Sequence, residues 1–598
     1  MKSIFFRYLL FFIIVAGGAY ATGCSPLRHQ SFPGTTDASS QATRPSPPPS
    51  TSQEQANPEA EGELKETLPN MGSKAYYHFL LAQMYKKEDD YERVAQEYRA
   101  ALQYDPESAV IMTELAALYL RGGRPEDALT LCNQARAVNP RYLDAHFLLA
   151  RIYLATKEYD AAIAEYEKLR ALAPEQQEIY FYLGNLYTEK EDYQKALDTL
   201  KSLLNQDPYS LMGLYYLGRV HAKMKAYDEA IPYYKKALEV SPAFESALLD
   251  LALIYEMQER IDDAVAFYEK LVEYYPENSK VLNHLGNLYV RQKNWNKAID
   301  AFRNIGEFDT NGLDAAIKIG LIHLEQEEYD KAISEFEVIL GSHPHFDKAH
   351  YYLALCYQEK KLYERALAEL QKITPQSDIY VDAIIRSGYI REEQNDAPAA
   401  IRIVEGALQE VTDSPPLLRY AAYLYDQTRQ YETAVSLLLK AIELEPENGR
   451  LHYQLGTVYD KMDKFDETIQ AMTKVLEVDA HNADALNYIG YSYADRGIKL
   501  DEAEEFIKKA IAIKPNDGYI TDSLGWLYFK KGMIKEAIQE LEKAVKLTPD
   551  DPLIAEHLGD VYVEAGMVEK AKIQYERALM IDPEKKKLKE KLEKLQQL

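Results

Sequence analysis

The residues with the most obvious capacity for chemistry are three histidines. His343 and His345 flank Pro344, and His350 follows five positions later. Three imidazoles can hold a transition metal. Asp347 is the only carboxylate near them at a usable spacing, so the segment reads as a polar turn that opens a helix. Adjacent carboxylates such as Glu327-Glu328 and Asp262-Asp263 fall at helix–turn positions and read as solvated charge rather than acid–base machinery. There is no His-Glu-x-x-His, no P-loop and no dinucleotide glycine fingerprint, and no strand-rich segment to carry one. The expectation is no catalytic residue, no metal site and no cofactor.

Cys24 offers a different chemistry. Lys2 and Arg7 precede a run from Tyr8 to Ala21 that is almost wholly apolar or small. About 14 such residues are too few to span a bilayer, which needs about 20, and suit the apolar core of an export signal. The run ends in Ala21-Thr22-Gly23-Cys24. This resembles a bacterial lipoprotein cleavage box, although Ala21 stands where that family usually has Leu. The resemblance implies a signal peptide over 1–23 and a lipidated Cys24, whose acyl chains would anchor the protein stably. Ser25 follows the cysteine where an Asp would favour inner-membrane retention. The expected location is therefore the bacterial envelope, on the outer membrane facing the periplasm.

Residues 24–72 carry Pro26, Pro33, Pro45, Pro47, Pro48, Pro49, Pro58 and Pro69 among Ser, Thr, Gln and Glu, with no helical or strand period. Such a segment cannot bury enough apolar surface to fold and reads as a disordered tether. At this length a flexible coil spans about 40 Å. The formal charge of the chain is −26. That excludes the basic footprint that nucleic acid requires and disfavours anionic lipid headgroups. It keeps the protein soluble and leaves a preference for basic partner segments open. Three cysteines, Cys24, Cys132 and Cys356, are too few for a disulfide framework.

The organising feature is a 34-residue period. Pro106, Pro140, Pro174, Pro208, Pro242 and Pro276 share it, and the step continues to Pro344 and Pro446. After a one-residue insertion near Asp495 to Leu500 it reaches Pro515, Pro549 and Pro583. Fifteen units result, the first at 75–108 and the last at 552–585. The eighth position of every unit is Ala or Gly, the eleventh is Tyr in twelve units, and the twentieth is Ala in thirteen. Apolar residues recur at spacings of three and four, so each unit reads as helix A, turn, helix B and a Pro-marked turn. Small residues at positions eight and twenty let the two helices approach. A single pair cannot bury its apolar face, so neighbours must stack.

These columns resemble the tetratricopeptide repeat (TPR) family over 75–585. The resemblance implies an all-α, right-handed superhelical solenoid of about 15 repeats over 73–585. Residues 586–598, with Leu588, Leu592, Leu595 and Leu598 at helical spacing, read as a polar capping helix. Departures are expected over 373–416, where the prolines leave register, Arg391 replaces Tyr and Pro398 enters helix B; a hinge or kink there is one reading.

In the family helix A lines the concave face. Carrying its groove positions over gives Phe181, Tyr182 and Asn185, then Tyr215, Tyr216 and Arg219, then Tyr351 and Tyr352. Later units supply Tyr389, Arg419, Tyr420, Tyr423, Tyr453, Asn487, Tyr488, Tyr491, Tyr519 and Trp526. Tyr, Trp and Arg suit protein recognition because they bring large contact area and lose few rotamers. Some of these rings could instead only pack between adjacent A helices. The carboxylate-gripping arrangement of one TPR subfamily is incomplete here: Asn283, Asn287, Lys318 and Lys348 fit it, but Tyr352 holds the next basic position.

The runs Asn487 to Gly497 and Asp522 to Trp526 resemble multi-repeat bacterial envelope lipoproteins, some of which bring substrates to a periplasmic protease. The expected function is a non-catalytic protein-interaction scaffold, a lipid-anchored envelope adaptor that recruits proteins for processing or assembly. The alternative is a structural or assembly component of a secretion, pilus or exopolysaccharide export machine. Expected partners are proteins or extended peptides, with no nucleic acid and no small-molecule substrate.

Overall fold

The computed structural model of the protein describes residues 71–305 and 310–596. Cys24, the export signal and the tether lie outside the described residues. Among the described residues every regular element is a helix, 31 in all, and none is long and apolar enough to cross a membrane. The chain divides into two compact units, one running to Ile322 and the other starting at His323.

Helix A begins on the register position in most repeats, as in Leu143–Ala155, Leu211–Lys223, Gly449–Lys461 and Pro552–Glu564. Side-chain caps fix several of these starts: Ser108, Ser210, Asn278, Asn482, Asp517 and Asp551 each accept from a backbone N–H in the first turn. Each such cap stabilises its helix by about 1 kcal/mol.

The A–B turn uses one device throughout. The N–H at position sixteen donates to the carbonyl at position eleven in all fifteen repeats, from Asp90 to Tyr85 at 3.1 Å to Met567 to Tyr562 at 2.8 Å. This six-to-one bond requires position fifteen to be left-handed. Position fifteen is left-handed everywhere, and it is glycine only at Gly123, Gly497, Gly532 and Gly566. Eleven repeats place Asp, Lys, Glu, Asn or Arg there, at φ between 57° and 62°. The insertion near Asp495 adds a second left-handed residue, Lys499 at φ 45°, before helix Leu500–Ile513.

In the pairs of Gly184, Gly218, Gly286, Gly456, Gly525 and Gly559 the glycine at position eight sits beneath the side chain at position twenty-four. A Cβ on Gly184 would lie 2.6 Å from Leu200, and one on Gly286 would lie 2.6 Å from Phe302. Gly559 meets Tyr575 in the same way. The position-twenty-four residues Leu200, Tyr234, Phe302, Leu541 and Tyr575 are buried as a result. Each buried ring or Leu contributes roughly 1.5–3 kcal/mol of transfer free energy.

The 373–416 segment keeps this logic with one substitution. Helix Tyr363–Leu370 stops after eight residues, and helix Tyr380–Glu393 begins one position early. Pro398 lies in the first turn of helix Ala397–Glu410, where its missing N–H has no intrahelical partner to lose, and the helix runs on to Glu410. Arg391 reaches Glu364 at 2.7 Å. The space above Gly388 is filled from the next repeat by Tyr420, whose ring and hydroxyl lie 2.5 Å from a Cβ placed there.

The last described helix, Lys586–Gln596, buries Leu588 and Leu595 in a core with Leu558, Val561 and Tyr575. Its Lys591 donates to Glu556 at 2.8 Å and Asp560 at 2.7 Å. At the opposite end Tyr76, Leu80 and Met84 on helix Met71–Lys87 are exposed.

Two expectations follow for unfolding experiments. Lys225→Gly removes a left-handed strain of about 1 kcal/mol and raises the urea midpoint, whereas Gly566→Lys lowers it by a similar amount. Gly286→Leu forces Phe302 from its seat and costs about 1–3 kcal/mol. A midpoint unmoved by either glycine substitution would show that these positions do not carry the turn and the helix approach.

Candidate partner-binding face

Helix A supplies positions five, six, nine, twelve and thirteen to one face, and residues there touch their counterparts on the next helix A. In the first unit this face is aromatic and internally bonded. Phe181 packs against Tyr182 at 4.7 Å and stacks on Tyr216 at 5.8 Å. Tyr215 meets Tyr216 at 5.4 Å and Phe244 at 5.1 Å. Arg219 lies 5.5 Å over the Tyr216 ring and donates to Asn185 at 3.4 Å. All six sequence-predicted residues of this unit are therefore brought together, each half-buried. Asp250 joins them from the following helix A. Burial holds its carboxyl above the usual range, and hydrogen bonds from Tyr234 and Tyr215 with the charge of Arg219 oppose that.

Further along the first unit, Lys318 is buried and donates to Asn283 at 2.8 Å and Asn287 at 3.0 Å. Its ammonium also lies 5.1 Å from the Phe302 ring. Desolvation pulls its pKa down to about 8 against a weaker upward pull from Asp314. The two asparagine carbonyls thus occupy the amine. Lys348, in the second unit, is exposed.

In the second unit the predicted residues fall into separate groups. Tyr351 meets Tyr352 at 5.8 Å, and Tyr352 stacks on Phe336 at 5.8 Å. Tyr389, Tyr420 and Tyr423 form a second group, at 4.7 Å and 6.1 Å. Tyr420 is 3% exposed and packs on Gly388, so it serves the core first; Tyr389 at 39% and Tyr423 at 36% reach solvent. Arg419 is exposed beside them. Tyr453 meets Tyr488 edge-on at 6.1 Å. Trp526 is 8% exposed and stacks on His557 at 4.1 Å, with Tyr491 at 6.4 Å from the same imidazole. Tyr519 is 57% exposed.

Carboxylates at positions twelve, thirteen and five complete this face, and aromatic counting alone does not reveal them. Tyr420 donates to Glu392 at 2.7 Å. The Trp526 indole N–H donates to Asp495 at 3.0 Å. His557 Nδ1 lies 2.9 Å from Asp522. Burial, then the bond to Asp460, pushes the Tyr488 hydroxyl well above its usual range. Their sequence signal is their place on the helical face already assigned to the tyrosines.

Among the described residues no group of histidines, cysteines and carboxylates is placed to hold a metal ion. His350 is buried, with Nδ1 at 2.7 Å from Glu369 and Nε2 at 2.9 Å from the Pro344 carbonyl. His146 repeats the pattern with Glu165 and Pro140. The imidazole thus ties helix A to helix B and to the preceding turn. Cys132 and Cys356 are free and buried, and burial pushes both thiols up to about 12.

Comparison with known proteins agrees with this geometry. Tetratricopeptide repeat models match residues 79–138 and 113–176, 157–211 and 323–383, 437–470, and 421–448 and 555–585. A TPR repeat model matches 525–566, and the N-terminal TPR repeats region of Psidin matches 186–301. The chain belongs to the tetratricopeptide repeat proteins. A TPR repeat-containing protein of Pseudomonas aeruginosa is 26% identical over 156 residues. That match spans 26% of this chain and only 25% of the relative. Among solved structures, a tetratricopeptide repeat protein from Parabacteroides merdae is 20% identical with a TM-score of 0.37, covering 42% of this chain and 98% of its own. The yeast Tom70 structure is 18% identical with a TM-score of 0.33, covering 76% of this chain and 96% of its own. Repeats of this family generally bind proteins or peptides.

Lys318 provides a pH test of the first unit. Its folded pKa of about 8 lies below its ordinary 10.5, so the unfolded chain binds the extra proton between those values. Stability contributed by this site therefore rises through that window. The difference in unfolding free energy between wild type and Lys318→Met should shift in favour of wild type from pH 8 to pH 10.5. A difference independent of pH would mean that the amine is not desolvated.

Proposed function

We propose that the protein is a lipid-anchored scaffold of the bacterial cell envelope that recruits partner proteins for processing or assembly without itself acting on them chemically. The observation that carries this reading is the A-helix face of the second unit. There Tyr389 and Tyr423 reach solvent beside the buried Tyr420, which is bonded to Glu392. Rigid aromatic side chains held this way form contacts at little entropic cost. The cleavage-box resemblance at Ala21-Thr22-Gly23-Cys24 and the Pro-rich stretch after it support the anchor and the stand-off from the membrane. The outer membrane, with the scaffold facing the periplasm, is the proposed location.

Two measurements test this reading. Wild-type protein should fractionate with membranes and carry acyl chains on Cys24, while Cys24→Ala should be recovered in the soluble fraction. Unmodified wild-type protein in the soluble fraction would remove the anchor. Tyr389→Ala with Tyr423→Ala should reduce capture of co-purifying partner proteins at least tenfold, as the loss of one or two contact hot spots would. Unchanged capture would remove these rings from the binding face.

A further inference from the structure

The first helix leaves uncovered a face that later A helices bury. Tyr76, Leu80 and Met84 fall four residues apart on helix Met71–Lys87 and are 63%, 48% and 44% exposed. Met84 holds position ten. Its counterparts Ile152, Leu186, Val220 and Ile254 are buried, because each of their helices packs against helix B of the repeat before. Among the described residues no helix precedes Met71–Lys87. The last repeat, in contrast, is covered by helix Lys586–Gln596.

The sequence just before the first helix matches the uncovered face. Ala56, Ala60, Leu64 and Leu68 also recur every four residues, a helical spacing that sets the end of the segment assigned to the tether apart from its Pro-rich body. Asn57-Pro58-Glu59 is a helix-start signal, and Pro69 stops a helix at the residue before it. The stretch between, 58–68, equals the closing helix Lys586–Gln596 in length, at 11 residues. Pro69-Asn70 is then a connection of the short kind that joins antiparallel helices. Folded back about that turn, the two columns run in step, because both helices rise equally per residue. Leu68 comes level with Gly72, Leu64 with Tyr76, Ala60 with Leu80 and Ala56 with Met84. The two alanines leave room for Leu80 and Met84.

Charge selects this occupant over a second copy. Residues 54–68 carry Glu54, Glu59, Glu61, Glu63 and Glu66 against Lys65. Helix Met71–Lys87 carries Lys74, Lys86 and Lys87 and no carboxylate. The segment and the helix attract each other, whereas two copies of the helix laid face to face repel.

We infer that residues 58–68 form a helix that folds back on helix Met71–Lys87 and covers Tyr76, Leu80 and Met84 through Ala60, Leu64 and Leu68. The array is then closed at this end by a segment of its own chain, which keeps a second copy or a partner helix off the apolar face. The free tether ends near Asn57 and does not reach the first repeat.

Hydrogen exchange on the full chain tests this without any substitution. Amides of 60–68 should exchange at least tenfold more slowly than those of 36–44, which carry no apolar column. Equal rates would overturn the inference. Leu64→Asp with Leu68→Asp should abolish the difference, and protection that survives both changes would overturn the role of that column. Disulfide formation then identifies what the segment touches. In a Cys24→Ala background, Ala60→Cys with Leu80→Cys should close within one chain at least tenfold faster than Gly62→Cys with Leu80→Cys. Gly62 lies on the outer side of the inferred helix, yet its shorter loop would close at least as fast in an unstructured chain. Equal or reversed rates would overturn the docking, and a dimer linked through Leu80→Cys alone would assign the face to a second copy instead. A negative result leaves the scaffold reading standing, because that reading rests on Tyr389 and Tyr423.

Discussion

Helix A and helix B approach each other closely enough that position eight has no room for more than Ala or Gly, and everything else in the structure depends on that contact. The side chain at position twenty-four closes over it: Leu200 on Gly184, Phe302 on Gly286, Tyr575 on Gly559. The pair leaves the far side of helix A free of helix B, so positions five, six, nine, twelve and thirteen meet their counterparts on the next helix A instead. The exposed A-helix face is thus a by-product of the packing rule. The left-handed residue at position fifteen preserves the geometry through each turn, and eleven repeats accept its strain in a residue other than glycine. A strained conformation at a position repeated this often means that the six-to-one hydrogen bond and the core it positions outweigh the local cost.

Much of this was legible in the sequence because it is periodic. The 34-residue step, the small residue at eight and the Tyr at eleven place the helices to within a residue in most repeats. The left-handed position was less legible, because turn reading looks for glycine and most repeats have none. Its signal is that an Asp, Lys, Glu, Asn, Arg or Gly follows the Tyr column by four positions. The face was half legible. Resemblance selects the aromatic residues, and they do cluster. Burial then separates Tyr420, which packs on Gly388, from Tyr423, which reaches solvent, and a column of tyrosines cannot make that distinction. The acids that bond those rings come from different repeats, so only three-dimensional pairing reveals them. Pro398 shows the opposite case: it signals a break by type, but its place in the first turn makes it harmless.

The two units present their faces differently. In the first, Arg219, Asn185, Asp250 and the surrounding tyrosines satisfy one another, and Lys318 is occupied by two asparagines. In the second, Glu392 accepts from Tyr420 and Asp495 accepts from the Trp526 indole with Lys530 at 3.8 Å, and the Asn487 Oδ1 is left without a donor. A face that is self-satisfied gains little from a ligand, whereas one with surplus acceptors gains more. The physical case for recognition is therefore strongest in the second unit.

Site-specific photo-crosslinking in cells tests most directly whether this face is where partners sit. A benzophenone side chain would replace Tyr423, which is 36% exposed on helix Pro415–Gln427, and in a parallel protein Val338, which is 69% exposed on helix Tyr329–Ser342. The account predicts discrete protein adducts from position 423 and none from position 338, although 338 is the more accessible. Equal adducts from both, or adducts from 338 alone, would contradict it.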